Sequence, residues 1–563
     1  MKFSEYKYVR PDLAEFKTEM GTQLVNIATG KDAATEIAAV YNVFDIQDYI
    51  DSMQQIVQVR YSINTKDKFL EGEQEFLDKN SPLIQEINQE FVNKLLDSKH
   101  RDALVNEFGL FIFEKFEVAK KTFSSEIIPD LQEENKLSTE YSKLLAGAEI
   151  EFDGKKLNLS QMRPFTTHVK RETRHAAQLA VSAWFEGVEE QIDRIYDDMV
   201  KVRTKIAKTL GYSNYVQLGY DRLGRTDYTS REVKKYRDQV YKAVVPYVSE
   251  LVQRKGKRLG IKDLKSYDLG LSFLSGNPTP KGDSTWQVHH AKEMYEQMSP
   301  ETGEFINFMI DHELLELDAK EGKMGGGYCT FIPEYSSPFI FANFNGTSGD
   351  VDVLTHEAGH AFQIFQSQKQ IPEYRWPGFE GAEIHSMSME FLAWPWIHRF
   401  FEDDTDKYKF NHLAGAISFL PYGVTVDEFQ HGIYEKPEMT AAERKALWSK
   451  TQSKYMPYVD YDDDKFMKKG TYWYRQGHIF GVPFYYIDYT LAQVVAFQYW
   501  IKAQKNHRDA FDHYLALCKL GGSKSFVALL NSANLESPFT DGVIEKTLEP
   551  LKAFLDDIDD TKL

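Results

Sequence analysis

The chain has 563 residues and a formal net charge of −18, from 85 acidic side chains against 67 basic ones. Such an acidic surface argues against nucleic-acid binding, which needs a basic face to neutralise phosphates. No apolar run reaches the ~18 residues that a membrane-spanning helix requires. Two cysteines, Cys329 and Cys518, cannot build a disulfide framework. The stretch Met1–Tyr8 lacks the apolar core of a secretory leader. A cytoplasmic chain is therefore expected, too long for one simple core and so built of two or three parts.

Helical periodicity dominates from about Asp12 to Leu210, in long charged amphipathic stretches with few Gly or Pro. Within them, Glu149–Leu159 reads as a hairpin: Ile150 and Phe152 alternate with acids, Leu157 and Leu159 flank Asn158, and Asp153-Gly154 marks the turn. Ser230 reads as the cap of a helix whose apolar repeat begins at Val233. The Gly276–Gly282 stretch is a loop, and His289-His290 has no acidic partner at metal spacing. Further strand signal is confined to about residues 320–345. There Phe339–Phe344, apolar and aromatic between Pro338 and Gly346, reads as a strand, either an ordinary core strand or an edge able to pair with an extended peptide. The expected fold class is mostly α with a small sheet, divided into residues 1–200 and 201–563.

The strongest chemical signal is His356-Glu357-Ala358-Gly359-His360. Residues four apart share a helix face, so both imidazoles can bite one metal ion, and Glu357 can reach a bound water as general base. Val351, Val353, Leu354, Ala358, Ala361, Phe362 and Ile364 supply the apolar surface of a buried helix. The ligand set expects one Zn2+ per chain, although two His and a Glu also accept cobalt or manganese. Glu380 and Glu383 both compete to be the third ligand, and spacing alone does not choose. Glu380 sits in a Pro377-Gly378 stretch that reads as loop, whereas Glu383 opens an apolar periodic segment, so Glu383 is preferred. Glu390, two turns further along the same face, and Asp352, one turn before His356, are candidate acceptors behind the ligands.

The His-Glu-x-Gly-His-Ala run and the Glu383–Glu390 segment resemble the thimet-type family of zinc oligopeptidases, in particular the bacterial oligoendopeptidase F or Pz-peptidase group. The resemblance extends to Gly325–Thr330 and Ser337–Gly346 upstream, and to Gln476–Phe480, Pro483–Gln493, Gly521–Ser523 and Glu536–Phe539 downstream. It is dense from about Leu315 to Phe539; before that only length and helical character match. It implies two helical subdomains flanking a deep cleft with zinc at its base, open to short unstructured peptides. It also implies a His and Tyr segment that grips substrate, and it favours the edge reading of Phe339–Phe344. Peptide hydrolysis develops an oxyanion that needs donors. His478, Tyr486 and Tyr489 are therefore expected to act on it, Tyr486 and Tyr489 sharing a helix face while Tyr485 points elsewhere.

The activity expected is hydrolysis of internal bonds in short peptides. Two rivals are a zinc exopeptidase, which needs a charged anchor for a peptide terminus, and a non-catalytic peptide binder with structural zinc. Glu357 argues against the binder, since a structural site has no use for a base beside its ligand. Cys329 falls near the expected site, so its alkylation would slow the enzyme by crowding.

Overall fold

Aspartates set the first helix starts. Asp12, Asp32 and Asp67 accept from first-turn N–H groups of the helices Leu13–Thr29, Ala33–Ile63 and Lys68–Leu96, donors that a helix cannot satisfy internally. The computed structural model describes residues 1–563 and is mostly helical with two small sheets. The three helices, with Arg101–Phe108 and Phe111–Ala119, close a cluster of 21 buried apolar residues, all between Phe16 and Phe116 except Tyr374, which joins from far along the chain. A second cluster of 110 residues takes most of the remaining core, and residues on both sides of position 200 share it.

The hairpin forms where expected. Ile150–Phe152 (β1) pairs antiparallel with Lys155–Leu157 (β2). Asp153 and Gly154 take φ of 52° and 71°, the left-handed pair whose twist matches a two-residue turn. The helix expected to be capped by Ser230 starts one residue differently. Thr229 is its cap, in a reciprocal box with Glu232, and Ser230 is already helical.

The three-stranded sheet corrects the edge-strand expectation. Leu315–Asp318 (β3), Tyr328–Ile332 (β4) and Ser337–Phe344 (β5) lie in the order β3-β5-β4, with β5 parallel to β3 and antiparallel to β4. The apolar run at 339–344 therefore occupies the centre. A strand covered on both faces reads as continuously apolar, and that explains its composition. The two edges are β3 and β4, and at the β4 edge Tyr328–Thr330 are only half-buried.

Three helices then carry the chemistry: a histidine helix (Gly349–Ser367), a glutamate helix (Phe379–Leu392) and a tyrosine helix (Tyr486–Lys505). The glutamate helix packs against both others. The connection between the first two reaches across to the N-terminal cluster. Arg375 makes a bidentate pair with Asp48 at 2.6 and 2.7 Å, and the Ile112 N–H donates to the Tyr374 hydroxyl at 2.9 Å. No helix is long and apolar enough to cross a membrane.

Phe484, just before the tyrosine helix, is fully buried at φ 68°, a costly conformation for a bulky residue. Its N–H donates to Gln430 Oε1 at 3.0 Å, and its carbonyl accepts from Arg225 Nη2 at 2.7 Å. The same guanidinium donates to Asp488 Oδ1 at 2.7 Å, with both side chains 0% exposed. Arg225→Met strands Asp488 without its counter-charge and is expected to cost ~3–5 kcal/mol. A clear fall in the thermal unfolding midpoint checks this; an unchanged midpoint would show the pair to be dispensable.

Candidate active site

The turn entering the histidine helix is fixed by Asp350, whose carboxylate accepts from the N–H groups of Asn345 (2.9 Å) and Gly346 (2.8 Å). Two turns on, His356 and His360 project from one face toward Glu383. Glu383 Oε2 lies 3.2 Å from His356 Nε2 and 3.3 Å from His360 Nε2. Donor atoms held at ~2.0–2.2 Å by one tetrahedral zinc lie roughly 3.3 Å apart, so these three residues fit that ion. The Glu383 side chain is 1% exposed.

This geometry needs two backbones in near contact. A Cβ at Gly359 would stand 2.6 Å from His385 O and 2.6 Å from Ser386 Cα. Gly359 therefore lets the glutamate helix lie directly on the histidine helix. Gly359→Ala forces them apart and is expected to cost ~1–3 kcal/mol and to weaken metal binding. Metal content per chain, measured beside the unfolding midpoint, checks both; full metal content would show that the ligands tolerate the shift.

Glu390 stands behind the ligands as anticipated. His356 Nδ1 donates to its Oε1 at 2.7 Å, which leaves Nε2 turned toward Glu383. Its other oxygen accepts from His412 Nε2 at 2.8 Å, and His412 Nδ1 accepts from Trp394 Nε1 at 3.0 Å. Burial opposes charge on both His356 and Glu390. The partner carboxylates nonetheless hold His356 well above its ordinary value, and the imidazoles hold Glu390 below the usual carboxylate range. Such outer partners fix the orientation of a ligand. Glu390→Gln is expected to weaken zinc affinity ~10–100-fold, read by competition with a chromogenic chelator; unchanged affinity would remove Glu390 from that role. Asp352 instead accepts from the Tyr408 hydroxyl at 2.6 Å.

Glu357 is buried, and its Oε2 has no partner in the protein. Burial raises its pKa, against the pull of His356 and His360. Glu380, expected in a loop, lies in the first turn of the glutamate helix. It borders the same cavity but sits one turn short of the converging ligand atoms. Burial pushes its carboxyl up to about 7.

A cavity of about 680 Å³ borders His356, Glu357, His360, Glu383, His478, Tyr485 and Tyr489. The edge of β4 at Tyr328–Thr330 and the apolar side chains of Trp376, Phe379 and Val482 also line it. Tyr485 does not point elsewhere: its hydroxyl donates to Glu383 Oε1. Tyr485 and Tyr489 are four apart across the helix start and share the cavity face, a spacing visible in the sequence but passed over for the three-residue pair. Tyr486 packs against Phe419 and Tyr422, its ring 5.1 Å from that of His478, and does not line the cavity. His478 Nε2 and the Tyr489 hydroxyl lie 3.0 Å apart. Burial pushes His478 down to about 4 and holds the Tyr485 and Tyr489 phenols well above 10, so at neutral pH the imidazole is uncharged and both phenols keep their protons. Cys329 also lines the cavity; burial raises its thiol well above the ordinary range, leaving little reactive thiolate.

A mostly helical fold that brings His-Glu-x-x-His together with a downstream Glu defines a metallopeptidase architecture. The description "Peptidase M3 N-terminal domain" matches residues 3–123, and "Peptidase family M3" matches residues 301–548. A solved structure of Pz peptidase A with an inhibitor is 47% identical, covers 100% of both chains and superposes with a TM-score of 0.99. A crystal structure assigned as an oligoendopeptidase F from Bacillus anthracis is also 47% identical, covering 100% of this chain and 99% of that one, with a TM-score of 0.94. Oligoendopeptidase F of Lactococcus lactis subsp. cremoris is 22% identical over 69% of this chain and 64% of its own length. An oligoendopeptidase F homologue of Borreliella burgdorferi is 27% identical over 39% of this chain, a match spanning only 38% of that protein. The chain belongs to peptidase family M3, in the oligoendopeptidase F group.

Proposed function

We propose that this chain is a zinc-dependent oligoendopeptidase that hydrolyses internal bonds of short, unstructured peptides. The observation that carries the reading is the buried, unpartnered carboxylate of Glu357 beside the convergence of His356, His360 and Glu383. A zinc ion held there supplies positive charge that polarises the scissile carbonyl and acidifies water. Glu357 takes the proton of the attacking water and returns it to the leaving amine nitrogen. Tyr489 and His478 donate to the developing oxyanion or to the peptide backbone. Tyr485 orients Glu383 through its hydrogen bond and stands ready at the same wall, while Tyr486 supports the ring of His478. An extended peptide adds along the edge of β4, where backbone groups offer sequence-independent pairing. A cavity of this size, walled by Trp376, Phe379 and Val482, suits a short flexible peptide better than a folded chain.

Two measurements test this. Glu357→Gln is expected to keep its zinc and lose turnover by ~10²–10⁴-fold or more; full activity would sink the mechanism. A quenched fluorescent peptide blocked at both termini is expected to be cut internally by the wild type. Chelation should abolish the cut and zinc restore it. Trimming of free peptides with no cut in the blocked one would move the reading to an exopeptidase.

A further inference from the structure

Behind His478 runs a chain of hydrogen bonds that the mechanism above does not use. The Tyr422 hydroxyl, on the long helix Thr405–Glu435, donates to Gln476 Oε1 at 2.7 Å. Gln476 Nε2 donates to His478 Nδ1 at 2.8 Å, and His478 Nε2 faces the Tyr489 hydroxyl at 3.0 Å. A neutral imidazole carries one proton, and which nitrogen holds it depends on its partners. Burial keeps His478 neutral, so this choice is open at that ring.

Tyr422 decides the choice. Its phenol is held well above its ordinary value by burial and keeps its proton. Its hydroxyl makes one hydrogen bond, to the Gln476 carbonyl oxygen. Turning the amide over would oblige Tyr422 to accept from the NH2 group and leave its own proton without a partner in the protein, at the price of a lost part-buried hydrogen bond. The amide therefore presents a donor to Nδ1, and Nδ1 is the unprotonated nitrogen. We infer that Gln476 is a positioning residue that, oriented by Tyr422, fixes the His478 tautomer with its proton on Nε2, on the side of Tyr489 and the cavity. Tyr489 then accepts from His478 and has its own proton free to give. Tyr489, polarised by the His478 N–H it accepts, thus presents its own proton at the cavity before substrate arrives, and this preorganisation strengthens an oxyanion site. The inference rests on the reading of His478 as a substrate-facing donor.

The test uses the full-length, zinc-loaded enzyme labelled with 15N-histidine, with the His478 signals assigned by their loss in His478→Phe. Long-range proton–nitrogen correlation is expected to show protonated Nε2 and bare Nδ1. Gln476→Met keeps the length but not the donor. It is expected to convert that signal to a mixture of tautomers and to lower kcat with little change in KM. The loss should be smaller than the ~10²-fold expected for removing an oxyanion donor outright. In a His478→Phe background the same change should have no further effect, because the two residues act as one unit. If Gln476→Met does not fold, Tyr422→Phe frees the amide to turn and should give the same mixed spectrum. A proton on Nδ1 in the wild type would overturn the inference, and so would an equal loss from Gln476→Met in both backgrounds. Full turnover in His478→Phe would overturn the donor reading of His478 instead, and the spectrum would still decide the tautomer.

Discussion

The close approach of two backbones at Gly359 is the constraint on which the site depends. For His356, His360 and Glu383 to hold one metal ion, as proposed, three donor atoms from two helices must lie within ordinary ligand separation. Side chains of this length reach only if the helices nearly touch. The absence of a Cβ at Gly359 allows His385 and Ser386 to lie against it. Ser386 adds to the fit by donating to Glu383 Oε2 at 2.9 Å.

Around that contact the polar groups are arranged in successive layers. Glu390 holds His356 and is itself held by His412, which Trp394 orients. Glu383 is held by Tyr485 and Ser386. His356, Glu390 and Glu383 thus have protons and lone pairs assigned by partners further out, which limits the reorganisation left for the moment of reaction. Glu357 differs from these, being buried with an unpartnered oxygen. In the proposed mechanism a base that takes and returns a proton needs such a free acceptor.

The apparatus also ties the two hydrophobic clusters together. The connection between the helices bearing His360 and Glu383 places Tyr374 in the N-terminal core and pairs Arg375 with Asp48.

The pairing of His356 with His360, the place of Glu357 beside them and the alignment of Glu383 with Glu390 were legible from the sequence, because helix periodicity puts residues three, four and seven apart on one face. Mostly helical architecture followed from the same periodicity, and the hairpin from Asp153-Gly154. What periodicity could not supply was any relation between elements distant in the chain. His412, Trp394 and Tyr408 gather at the site from the segment after the glutamate helix, with no local pattern to mark them. The apolar run at 339–344 announced a strand, but only pairing on both sides made it the centre of its sheet and left the edges to β3 and β4. Glu380 lay in a stretch whose Pro and Gly signalled a loop; packing against the neighbouring helices extended the glutamate helix over it. Tyr485 and Tyr486 are adjacent and chemically identical, and only the direction in which the tyrosine helix starts, set by Phe484 and its bond to Arg225, turned Tyr485 toward Glu383. Local spacing is a property of the chain itself, whereas partnership across it depends on how the helices pack, and that is where the tertiary structure decided.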